Sequence, residues 1–192
     1  MFRTRTTAVA GIPLAIALSL TACSGPMSDP GNPAPDSSTT AQAALNPADL
    51  AFTMMMIPHH EQAIEMADVL LATADVDERV RDLAQRIKDA QQPEIDTMTA
   101  WLDAGMSSPG TGGMDHGGMM SNDDMAALES AAGREASQLF LEQMIEHHRG
   151  AILMAQDELR GGSRADVVDL AQRILDSQTA EIAEMQSLLH NL

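Results

Sequence analysis

The chain has 192 residues, with 28 Asp and Glu against 11 Lys and Arg and a formal net charge of −17 at pH 7 with histidine neutral. Such a surface repels nucleic acid and anionic lipid and concentrates cations, so nucleic acid is excluded as a partner, while charge alone names no ligand. One cysteine excludes an intrachain disulfide, and 15 methionines beside three Phe, one Trp and no Tyr depart from an ordinary core composition.

Residues 1–22 read as a lipoprotein signal peptide, with Arg3 and Arg5 as its basic start and Ala8 to Leu20 as an apolar run too short to span a bilayer. Leu20-Thr21-Ala22-Cys23 resembles the lipobox of bacterial lipoproteins, which implies that Cys23 becomes the lipidated first residue of a protein anchored to the cell membrane outside the cytoplasm. Residues 23–45, rich in Ser, Pro, Gly, Thr and Asp, cannot bury enough apolar surface to order themselves and are expected to form a flexible tether. The folded domain is expected over 46–192, a length suited to one core.

Asn46-Pro47-Ala48-Asp49 carries an N-cap, a first-turn proline and a first-turn acid, and opens a helix expected over 47–73. A second is expected over 76–104. The connection 105–121 is rich in Gly and Met, and Ser121 caps a short helix near 122–132 that Gly133 stops. Helices over 134–160 and 164–190 follow, separated by Gly161-Gly162, with Ser163-Arg164-Ala165-Asp166 as a second capping pattern. Strand signals are absent. Pro58 and Pro93 fall inside the first two helices, where each removes an amide donor and favours a bend.

The chain repeats itself. Met-Ile-Pro-His-His-Glu-Gln-Ala-Ile-Glu-Met-Ala at 56–67 returns as Met-Ile-Glu-His-His-Arg-Gly-Ala-Ile-Leu-Met-Ala at 144–155, and Phe52 matches Phe140 at the same offset of 88. After a one-residue slip, Gln91, Glu94, Ile95, Met98 and Leu102 match Gln178, Glu181, Ile182, Met185 and Leu189. A unit used twice predicts two similar halves, 46–104 and 122–192, facing each other about a pseudo-symmetric site. The expected fold is all-α: an antiparallel four-helix bundle, ferritin-like, built from two duplicated helical hairpins.

At about 100° per residue, His59 and His60 flank the apolar arc of Phe52, Met56, Ala63 and Ala67, and His147 and His148 flank its copy. Glu94 and Glu181 fall within the core stripes of the partner helices, with Gln91 and Gln178 beside them. A buried carboxylate without a partner is costly, so each Glu needs a cation or a donor. A single buried His is ordinarily a hydrogen-bonded core residue, but four His and two Glu at duplicated positions point to a metal site.

Met55, Met66, Met98, Met154 and Met185 lie on the same faces. In a helix stripe such residues are ordinarily flexible filling, whereas the connection carries Met106, Met114, His116, Met119 and Met120 with no core to fill. Of these, Met114, His116, Met119 and Met120 are the candidate secondary metal loop. Thioether and imidazole ligands select copper, Cu(I) above all, with iron or manganese as alternatives.

These motifs resemble the bacterial family known as domain of unknown function 305, whose members carry Met-Ile-x-His-His-x-x-Ala-Ile-x-Met-Ala and Gln-x-x-Glu-Ile-x-x-Met. The likeness covers nearly all of residues 48–190. It implies a ferritin-like helical bundle, copper binding in some members, and a motif set of His59, His60, Met66, Glu94, Met98, His147, His148, Met154, Glu181 and Met185.

Three functions follow as expectations. The first is an anchored copper sequestration or transfer protein with a copper donor or acceptor as partner. The second is a dinuclear iron, manganese or copper oxidase, disfavoured because neither His pair has a Glu three residues before it. The third is a structural envelope module, alone or as a homo-oligomer. No nucleophile triad, phosphate loop or nucleotide fingerprint is present.

Overall fold

Five helices and no strand make up the residues that this computed structural model describes, 44–104 and 117–192. α1 covers Pro47–Ala72, α2 Glu78–Ala104, α3 Asn122–Ser130, α4 Gly133–Gly161 and α5 Ala165–Asn191, every end within two residues of its expected position. The signal region, Cys23, the tether up to residue 43, and Met106, Met114 and His116 lie outside the described residues. No helix among the described residues is long and apolar enough to cross a membrane.

α1 starts as its sequence dictates. Asn46 Oδ1 accepts from the amides of Ala48 and Asp49, each at 2.8 Å, and Asp49 Oδ2 accepts from the Asn46 amide at 2.7 Å. Ser121 and Asp124 make the same reciprocal cap on α3. α5 departs from expectation, because Ser163 does not cap it. Asp49 reaches across from α1 instead, its Oδ1 accepting from the amides of Ser163 at 2.9 Å and Arg164 at 3.2 Å. A carboxylate there satisfies donors that a helix start leaves open and complements its dipole.

Gly133 departs too. Rather than stopping α3, which closes at Ser130, it opens α4 in the left-handed region at φ +56°, its amide donating to Ala74 O at 3.3 Å. α1 and α2 run uninterrupted through Pro58 and Pro93.

Short turns fold α1/α2 and α4/α5 into hairpins, and the hairpins meet through α1 and α4. Asn46 Nδ2 donates to Gly161 O at 2.9 Å at one end of that pair, and the Asp77 amide donates to Ser137 Oγ at 2.9 Å at the other, so α1 and α4 run antiparallel. α2 lies chiefly on α1 and α5 chiefly on α4, with α2 and α5 meeting sparsely, while α3 lies over α1 and α4.

The apolar interior divides into two clusters. One holds Met66 and Leu70 of α1, Leu83 and Ile87 of α2, Phe140 and Met144 of α4, and Met185 of α5. The other holds Phe52 and Met56 of α1, Met98 of α2, Ala151 and Met154 of α4, and Leu170 and Ile174 of α5. The sequence duplication exchanges them: Met66 aligns with Met154, Met56 with Met144, Met98 with Met185 and Phe52 with Phe140. Each matched pair is thus split between the two clusters. Between the clusters lie the buried polar residues His59, His60, Gln91, His147, His148 and Gln178.

Candidate metal centre

Where α1 crosses α4, the rings of His59 and His147 lie against each other, centroids 3.7 Å apart and planes tilted by 39°. His60 and His148 stand to either side, 6.5 and 6.4 Å from their sequence neighbours. All four are fully buried. The helix spacing explains the geometry, since consecutive residues point about 100° apart: one imidazole of each pair meets the other α1/α4 helix and the next turns toward the hairpin partner.

His60 Nε2 lies 2.8 Å from Glu94 Oε2, and His148 Nε2 lies 2.6 Å from Glu181 Oε2. The two glutamates sit at the edge of the layer rather than inside it, contrary to the helical-wheel expectation, with side chains 22% and 21% exposed. A wheel gives direction but not depth, and a long side chain at the flank of a stripe keeps part of its hydration. In the tautomer that donates from Nε2 to the carboxylate, the imidazole lone pair rests on Nδ1. Nδ1 of His60 and Nδ1 of His148 are buried without a hydrogen-bond partner. An unsatisfied buried polar atom costs about 1–3 kcal/mol, so two at duplicated positions call for an explanation.

Burial, and after it the neighbouring His59, His148 and His60, hold His147 well below the ordinary imidazole range. It therefore stays neutral near neutral pH, the form that donates a lone pair to a metal. Gln91 and Gln178, one turn before each glutamate, are 3% and 2% exposed, and Gln91 Oε1, Gln91 Nε2 and Gln178 Oε1 have no partner.

Thioethers bracket the imidazoles. Met66, Met98 and Met185 are fully buried and Met154 is nearly so. Met56 and Met144, one turn before the histidines, are fully buried as well; the sequence put them in the core arc but did not single them out as ligands, although their place in the repeated Met-Ile-x-His-His phrase was the available signal. Met119 and Met120 are half-buried, and Gln62 holds the Met120 backbone from both sides, accepting from its amide at 2.7 Å and donating to its carbonyl at 2.9 Å.

Among the described residues, no three His, Cys, Asp or Glu side chains converge on one point as a ready chelate. Beside the imidazoles, the same helices carry the buried thioethers of Met56, Met66, Met98, Met144, Met154 and Met185. That donor set is soft, and it fits a monovalent coinage metal better than a hard divalent ion.

Residues 49–189 match the family described as Domain of unknown function (DUF305). Among solved structures, a DUF305 fragment from Deinococcus radiodurans is similar with a TM-score of 0.71 at 30% identity, over 78% of this chain and 100% of its own. A DUF305 protein from Streptomyces coelicolor, described as secreted, gives 0.69 at 34% identity over 75% of this chain and 91% of its own. CopM in its Cu(I)-bound form gives 0.62 at 32% identity over 74% and 96%, and Cu(II)-bound and Ag-bound forms of CopM are similar as well. No curated protein matches the chain.

Proposed function

We propose for this chain, which belongs to the DUF305 family, the role of a metal-binding protein outside the cytoplasm that sequesters or passes on copper, with Cu(I) the favoured state. The observation that carries this reading is the buried layer in which His60 and His148 each present an unpartnered Nδ1, His147 is held neutral, and buried thioethers lie along the same helices, Met56 and Met144 one turn before the histidines and Met66 and Met154 nearly two turns after them. His59, His60, His147 and His148 supply imidazole nitrogen, and Met66, Met98, Met154 and Met185 supply sulfur. Glu94 and Glu181 act on the ion through His60 and His148, fixing the tautomer and the ring angle as carboxylates behind metal-bound histidines do.

The likeness to CopM in Cu(I)-bound and Ag-bound forms supports a soft cargo. The signal-like residues 1–22, the lipobox at Cys23 and the likeness to a relative described as secreted support a location outside the cytoplasm, with Cys23 as lipid anchor and 23–45 as tether. The antiparallel α1/α4 pair and the exchanged clusters support reading the hairpins as halves of a ferritin-like four-helix bundle. Met114, His116, Met119 and Met120 serve as a secondary capture site, and a copper donor or acceptor protein would meet the tethered domain at the membrane. Nothing favours the oxidase: the layer offers two carboxylates, each already on a histidine.

X-ray absorption of the protein loaded anaerobically with Cu(I) tests this reading. Mixed sulfur and nitrogen scatterers are expected. A shell of oxygen and nitrogen alone, or no retained copper, would contradict it.

A further inference from the structure

α1 and α4 align at an offset of 88, and three residues at which they differ, Gln62, Gly150 and Gln143, all touch the segment that connects the hairpins. Gln62, which aligns with Gly150, makes both hydrogen bonds to the Met120 backbone. Gly150 clears the way for the same segment: a Cβ there would run into Gly117 O and come within 2.7 Å of Gly118 Cα. Gly118 answers with a left-handed φ of +88°, and a Cβ on it would lie 2.6 Å from Gly150 Cα. Gln143, which aligns with Met55, is buried and donates through Nε2 to Asp124 O at 2.9 Å, at the start of α3. Residues 117–121 are thus a strap that lies on both members of one duplicated pair, held by hydrogen bonds from Gln62 and admitted closely by Gly150, while Gln143 holds the start of α3 beyond it.

This strap unbalances the thioethers. Each cluster has three buried methionines that the duplication exchanges: Met66, Met144 and Met185 in one, Met154, Met56 and Met98 in the other. Met120 and Met125 pack against the first cluster, while the second gains only Met55. We propose that the strap makes the clusters unequal as metal sites, so that a soft monovalent cation enters the cluster of Met66, Met144 and Met185 first, with Met120 and Met125 as its additional donors. The inference rests on the metal-binding reading and assigns an order within it. Two effects favour that order. More flexible thioethers within reach give more ways to complete a soft coordination shell, and the Gln62 clamp orders the Met120 backbone before the ion arrives.

Ag(I), which undergoes no redox change, titrated into protein with methyl-labelled methionine reads the order by NMR. The methyl signals of Met66, Met120, Met125, Met144 and Met185 are expected to move first, with at least about tenfold tighter binding than the signals of Met56, Met98 and Met154 report. Met120→Leu with Met125→Leu, a nearly volume-conserving change, is expected to abolish that lead while both clusters still respond. Clusters moving in step in the unaltered protein, or the second moving first, would overturn the inference and leave the metal-binding reading standing. No movement in either cluster would overturn both.

Discussion

At the scale of single residues, positions where the repeats disagree are as informative as those where they agree. Glu158 aligns with Leu70, which is core, yet Glu158 is itself only 1% exposed and lies against Asp49. Burial, and after it the Asp49 carboxylate, push Glu158 up to about 7. Burial also pushes Asp49 up, but the amides of Asn46, Ser163 and Arg164 and the Glu158 carboxyl outweigh it and hold Asp49 below its ordinary value. A raised carboxyl binds its proton more tightly when folded, so its contribution to stability is complete below about pH 4.5 and is lost as pH rises through about 7. His147 acts in the opposite sense, since its depressed value withdraws stability as pH falls below about 6.5. Glu158→Leu isolates the first effect: in metal-free protein the midpoint of thermal unfolding should rise at pH 8 and should lose the decline between about pH 4.5 and 7. An unchanged decline would assign it elsewhere.

The histidine partners give a second prediction at this scale. Glu94→Leu or Glu181→Leu frees one imidazole to change tautomer and angle, and copper affinity in a competition titration should fall by about 10–100-fold. Glu94→Gln keeps an acceptor at the same reach and should lose less. Equal affinity in all three variants would show that these carboxylates do not orient the ligands.

At the scale of elements, the helix bounds were legible because Asn46, Pro47, Ser121 and Gly161-Gly162 act within a few residues of themselves. The start of α5 was not, because its acceptor is Asp49, 114 residues away from Ser163, and no local pattern records such a contact. Asp49 therefore serves two helices at once. Asp49→Ala removes one half of the α1 capping box and the acceptor before α5, where a single lost cap costs about 0.5–2 kcal/mol. Unfolding in urea should register a loss at or above the upper part of that range, with faster hydrogen exchange at both helix starts. Exchange raised at α1 alone would mean that α5 holds without it. The seat of the strap was likewise illegible: Gln62, Gln143 and Gly150 look like ordinary divergence between copies until Met120, Asp124 and Gly118 are seen against them.

At the scale of the molecule, the duplication told the most. It gave the expectation of paired halves about a shared polar centre, because identical apolar arcs must bury against something and a twofold arrangement lets each serve the other. The division of the apolar interior into two clusters by the imidazole layer needed the antiparallel crossing of α1 and α4, which periodicity alone does not contain. The central claim is that this layer holds copper. Its most direct test is an anaerobic Cu(I) titration against a competing chromophoric chelator, comparing the unaltered protein with the variant carrying His→Ala at positions 59, 60, 147 and 148, helix content being checked by circular dichroism. Tight uptake by the first and its loss in a still-helical variant is the expected result; equal uptake by both, or none by the unaltered protein, would contradict the claim.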